Sequence, residues 1–119
     1  MKQAHLILAL AAGLGLSVTA AAGDKKGADV YKAACGACHN TGAAGAPKLN
    51  DKTAWGKRNE AGLPALLKSA IKGKKAMPAK GGQTALSDLE VARATVYMAN
   101  AGGGKFNEPK PAEIAAAIK

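Results

Sequence analysis

Cys35 and Cys38 are the two cysteines of this chain, and His39 follows the second directly. The pattern C-x-x-C-H reads as a site for covalent attachment of a c-type haem. Each residue type has a task in that chemistry. Cysteines at i and i+3 fall on one helical face, so a single turn can offer a thiol to each vinyl group of a haem. The next residue then lies under the ring, where an imidazole nitrogen binds iron from the proximal side. Gly36 and Ala37 are small enough for backbone pressed against a flat macrocycle. Other readings of the pair are weaker. A thioredoxin-like thiol pair needs a strand–helix–strand context, and no segment reads as a convincing strand. Tetrahedral zinc wants four ligands, and the other histidine, His5, lies in a segment expected to be removed. The plainest alternative is a buried, inert pair.

Residues 1–22 read as an export signal. Lys2 supplies the positive start, Leu6 to Leu16 is an uncharged apolar run, and small residues offer cleavage after Ala20 or Ala22. The alternative is an uncleaved anchor, for which the apolar stretch is slightly short. Residues 23–104 then form one domain, and 105–119 a tail. The domain's aromatic residues are Tyr31, Trp55 and Tyr97, with Phe106 in the tail. A small chain so rich in alanine and glycine buries little apolar surface alone and needs a staple. A haem supplies one, with short helices packed around it.

Helical periodicity places a first helix from Lys25 to about Ala37, with Val30, Tyr31, Ala34 and Cys35 on its buried side. Gly27 is costly inside it. Asn40 to Thr53 reads as a loop, and Trp55 follows. Leu63 to Lys72 is an amphipathic helix, with Pro64 near its start and Gly73 as its stop. Lys74 to Gly82 cannot be helical through Pro78. Ser87-Asp88-Leu89-Glu90 is a capping box that opens a helix from Asp88 to about Ala101. Phe106 to Pro111 reads as a linker, and Pro111 to Lys119 as one more short helix, apolar at Ile114 and Ile118.

The residue facing His39 across the iron is a methionine, a lysine or nothing. Met98 lies in a helical apolar stripe with Val91, Ala94 and Tyr97, where core packing explains it. Met77 sits in a loop between lysines, and Pro78 pushes it toward an extended conformation. A stiff loop offering a thioether suits a distal ligand, so the expected metal ligands are His39 and Met77. Ligation by His and Met raises the reduction potential. It also fills both axial positions, which favours electron transfer over substrate binding.

Gly27-x-x-x-Tyr31-x-x-x-Cys35-x-x-Cys38-His39, Ala46-Pro47-Lys48-Leu49, Met77-Pro78 and the last helix with Tyr97 together resemble the class I c-type cytochromes. The run from His39 through Gly82 is most similar to the small bacterial cytochrome c-five subgroup. The resemblance implies an all-α monohaem cytochrome c fold, three core helices plus short accessory helices, holding one haem c joined to Cys35 and Cys38. It implies that Gly27 lets the first helix cross the last closely, with Tyr31 and Tyr97 packed at the crossing. The Pro47 carbonyl would accept a hydrogen bond from His39, and Trp55 would lie near a haem propionate. That subgroup often carries a second cysteine pair after the methionine loop; here the segment is Gly81 to Leu86, without cysteine.

The formal charge is +9, and removal of the leader takes only Lys2 with it. Lys48, Lys52, Lys57, Arg58, Lys68, Lys72, Lys74 and Lys75 fall between the two expected axial ligands, and Lys80 follows just after the second. A one-signed rim of this kind steers an oppositely charged partner; a solvated surface that keeps the protein soluble is the plainer reading. Nucleic acid fits poorly, since an aromatic-interleaved basic groove is lacking. The expected function is a soluble periplasmic one-electron carrier, monomeric, without a small-molecule substrate, docking on redox proteins with acidic sites. Alternatives are a haem subunit of a larger redox complex, or a peroxidase-type enzyme, which needs a distal acid–base residue that no mature histidine supplies.

Overall fold

A computed structural model of the protein describes residues 25–119. The expected export signal, 1–22, and His5 lie outside the described residues. Helix α1 (Gly27–Val30), a π-helical turn (Tyr31–Cys35) and α2 (Gly36–His39) follow one another as a continuous helical stretch. It extends past the expected end at Ala37 and carries His39 as its last residue. The π-turn was not expected; such turns occur as single wide turns within helices, often at functional sites. Val30, which ends α1, and Tyr31, which begins the turn, are buried.

A second difference is α3 (Lys52–Glu60), which takes Lys52 and Thr53 out of the expected loop. The Asp51 carboxylate caps it by accepting from the Ala54 N–H at 3.0 Å. Trp55 is its one buried residue, so the segment carries no apolar stripe from which a helix could be read. Helix α4 (Leu63–Lys72) buries Leu66, Leu67, Ala70 and Ile71, the stripe expected of it. Helix α5 (Asp88–Ala101) opens on the expected capping box: Ser87 Oγ accepts from Glu90 N–H, and Glu90 Oε1 accepts from Ser87 N–H, both at 3.1 Å.

Helix α5 is the spine. The stretch α1 crosses it at Gly27, where the Tyr31 and Tyr97 rings pack with centroids 5.4 Å apart. Two clusters form the core. One joins α4 to α5 through Leu67, Ile71, Val91 and Ala92; the other gathers Tyr31, Trp55, Leu66, Met98 and Ala99. The expected linker is strapped down: the Asn100 side chain accepts from Phe106 N–H at 2.9 Å and donates to its carbonyl at 3.0 Å, and Arg93 pairs with Glu108 at 2.5 Å. Helix α6 (Pro111–Ala117) follows and seats Ile114 in the first cluster, with Ile118 packed beside it. Among the described residues no helix is long and apolar enough to cross a membrane.

Candidate cofactor site

The two clusters leave a cavity of about 480 Å³ between α2, α4, α5 and the loop after α4. That volume lies in the range of roughly 300–1,000 Å³ typical of small-molecule and cofactor sites. Cys35, Cys38, His39, Pro47, Trp55 and Met77, all singled out in the sequence, line it together. Cys35 is half-buried and Cys38 exposed, both as free thiols. Burial pushes the Cys35 thiol up to about 11, so it stays protonated at neutral pH.

His39 is 7% exposed, and its Nδ1 lies 2.8 Å from the Pro47 carbonyl oxygen. A carbonyl can only accept, so Nδ1 carries the proton and donates. The lone pair is then on Nε2, the nitrogen left for a metal, and the ring is fixed in orientation. The Leu49 N–H donates to the His39 carbonyl at 2.8 Å, so the Pro47 loop is tied to the histidine at two points. Trp55 packs against His39 with ring centroids 5.9 Å apart. Its indole N–H donates to the Lys48 carbonyl at 3.1 Å. Trp55 therefore buttresses the imidazole and pins the Pro47–Lys48 backbone.

Met77 is presented by a loop with little freedom. Lys74 N–H donates to the Met77 carbonyl at 2.9 Å, and Met77 N–H to the Lys74 carbonyl at 3.0 Å. Gly73, with φ +92°, makes the bend possible: a Cβ there would stand 2.9 Å from the Ala79 nitrogen and 3.0 Å from the Met77 oxygen.

Two wall residues went unrecognised as such. Met98, read as core packing, is buried in the second cluster and also faces the cavity. Thr95, one turn before it, lines the cavity too; its hydroxyl donates to the Val91 carbonyl at 2.8 Å, so the wall gains no unpaired polar group. Their spacing on α5 was the available signal. Tyr31, just behind the cavity, donates its hydroxyl to Asn40 Oδ1. Burial, with Tyr97 and Cys35 nearby, holds that phenol above its ordinary value. Of the basic residues, Lys57, Arg58, Lys74 and Lys75 line the cavity and are exposed.

The residues present fit a haem. An imidazole with a free Nε2 and a thioether form a donor set suited to haem iron, and the two thiols are the groups that would join the porphyrin's vinyl groups. The walls supplied by Ala34, Leu66, Ala70 and Met98 are apolar.

Comparison with known proteins points the same way. A family model described as cytochrome C oxidase, cbb3-type, subunit III matches residues 22–98. Cytochrome c-555 of Chlorobaculum tepidum is 43% identical over 93 residues, covering 75% of this chain and 82% of that protein. Cytochrome c5 of Ectopseudomonas mendocina is 38% identical over 84 residues, covering 69% of this chain and 97% of that protein. Among solved structures, a chain in the crystal structure of an electron transfer complex of nitrite reductase with cytochrome c is 42% identical. It superposes with a TM-score of 0.62, over 67% of this chain and 98% of that one.

Proposed function

This chain belongs to the class I c-type cytochromes, electron-transfer proteins with covalent haem c, and on that premise we propose that Cys35 and Cys38 hold the haem while His39 and Met77 ligate its iron. Bound there, the haem supplies a one-electron couple. The chain's own residues do the rest. The Pro47 carbonyl holds the proton on His39 Nδ1 and so raises the basicity of Nε2. The Lys74–Met77 bridge holds the thioether in place against added ligands. The observation that carries this reading is the convergence of both thiols, the oriented imidazole and Met77 on one cavity. Mass spectrometry of the denatured mature protein tests it: the expected mass is one haem plus the chain beginning after Ala20 or Ala22. A bare chain mass would sink the attachment, and a mass retaining residues 1–20 would sink periplasmic export by a cleaved signal.

The partner in this reading is a redox protein with an acidic docking site, met by a monomeric carrier. Lys57, Arg58, Lys74 and Lys75, exposed around the cavity, are the groups that would steer it. Second-order rates with such a partner are expected to fall severalfold as the ionic strength rises from about 0.01 to 0.1 M, over which the screening length shrinks from about 30 to 10 Å. Rates indifferent to salt would dismiss the steering. A second reading, a fixed haem subunit of a larger redox complex, is favoured by the oxidase-subunit description of the matching family. Gel filtration from the native host separates the two.

A further inference from the structure

Lys80 counts among the rim charges in the sequence, but its side chain is turned to another use. Its Nζ donates to the Leu86 carbonyl at 2.7 Å and pairs with Asp88 Oδ1 at 3.1 Å. Asp88 lies in the first turn of α5. The ammonium therefore closes the loop that follows Met77 and ties it to the helix that lines the cavity. The backbone at Lys80 makes the arrangement informative. Its φ is +56°, in the left-handed region, and Gly81 and Gly82 follow at +62° and +83°. Glycine is the default residue for such a conformation, so a lysine held there is offset by what its side chain contacts. The near end of the loop is fixed by the Lys74–Met77 bridge and Gly73. The far end has Lys80.

We infer that Lys80 is a positioning residue for Met77: its contacts with Leu86 and Asp88 hold shut the loop that presents the thioether. The inference rests on the reading of Met77 as the distal ligand. It concerns how readily Met77 leaves, not whether the haem is attached. An external ligand reaches the iron only when the loop opens, so its apparent affinity reports the opening equilibrium.

The test is imidazole titration of the ferric holoprotein, well below its unfolding temperature, with the weak far-red sulfur-to-iron band followed in parallel. Lys80→Met, which keeps the stem and removes the ammonium, is expected to tighten apparent imidazole binding about five- to tenfold, the scale of one lost charge-assisted contact. Asp88→Asn should move it the same way by less, because the Leu86 carbonyl remains. In a Met77→Ala background, Lys80→Met should add nothing. Lys105→Met, at an exposed site, should match the parent. Where Lys80→Met fails to accumulate as holoprotein, Asp88→Asn carries the same test. If Met77→Ala loses the band but Lys80→Met and Asp88→Asn bind imidazole as the parent does, Lys80 does not position Met77. An equal gain with and without Met77 also overturns the inference. A Met77→Ala protein that keeps the band overturns the ligand reading beneath it. A role in stability alone would lower the unfolding midpoint and leave imidazole affinity unchanged.

Discussion

Met77→Ala is expected to abolish the weak far-red band of the oxidised protein and to lower its reduction potential by on the order of 0.1 V or more, within the roughly 0.8 V span that axial ligands control. The cause is loss of a thioether that favours the reduced iron. The same change opens the iron, so imidazole should bind readily where the parent resists it. The rest of the site has no reason to move: His39 remains hydrogen-bonded to Pro47, and both cysteines lie on a different element. Potentiometric titration with an optical readout checks both effects. An unchanged potential and band would transfer the second ligand elsewhere. Met98 lines the same cavity and would be the next residue to replace.

Gly27→Ala is expected to destabilise the holoprotein despite improving a helix. Alanine favours a helix interior over glycine by about 1 kcal/mol, and Gly27, the first residue of α1, gains at most that much. Here, however, the new Cβ would stand 2.3 Å from the Arg93 carbonyl oxygen and 2.7 Å from its carbon. Those are backbone atoms of α5 and cannot rotate away. The two helices must separate, which also loosens the Tyr31–Tyr97 contact. Overpacking of this kind costs about 1–3 kcal/mol and at times more, and contact with rigid backbone belongs at the upper end. A net loss of about 2 kcal/mol would lower the melting temperature by on the order of 10 °C for a domain of this size. Thermal and denaturant unfolding of the holoprotein checks it. A variant as stable as the parent would mean that the crossing at Gly27 is not tight.

What could be read from the residues is what periodicity and punctuation encode. Helix α4 carries a complete apolar stripe and a glycine stop, and α5 a capping box, so their bounds emerge from sequence. Tertiary contact is harder to see. Helix α3 buries Trp55 alone, and its glycine, Gly56, argues against a helix, so only the Asp51 cap announced it. The π-turn over Tyr31–Cys35 has no residue-type signature. Gly102 reads as part of a helix stop, yet a Cβ there would lie 2.2 Å from Trp55 Cβ, so it is also a packing requirement. Lys80 reads as a rim charge because composition does not say where a long side chain turns. Within the site, C-x-x-C-H is legible because thioether attachment and proximal ligation demand that spacing. Thr95 and Met98 are not, because a residue that lines a cofactor cavity and one that fills a core share the same apolar face.

The most direct measurement is the optical spectrum of the mature protein, oxidised and reduced, before and after denaturation and extraction of free haem. A c-type spectrum that survives extraction, with the far-red sulfur-to-iron band in the folded oxidised protein, is the predicted result for a haem held by Cys35 and Cys38 and ligated by His39 and Met77. A haem that extracts freely, or protein without haem from cells able to mature c-type cytochromes, would contradict the attachment. A retained haem lacking the band would contradict Met77.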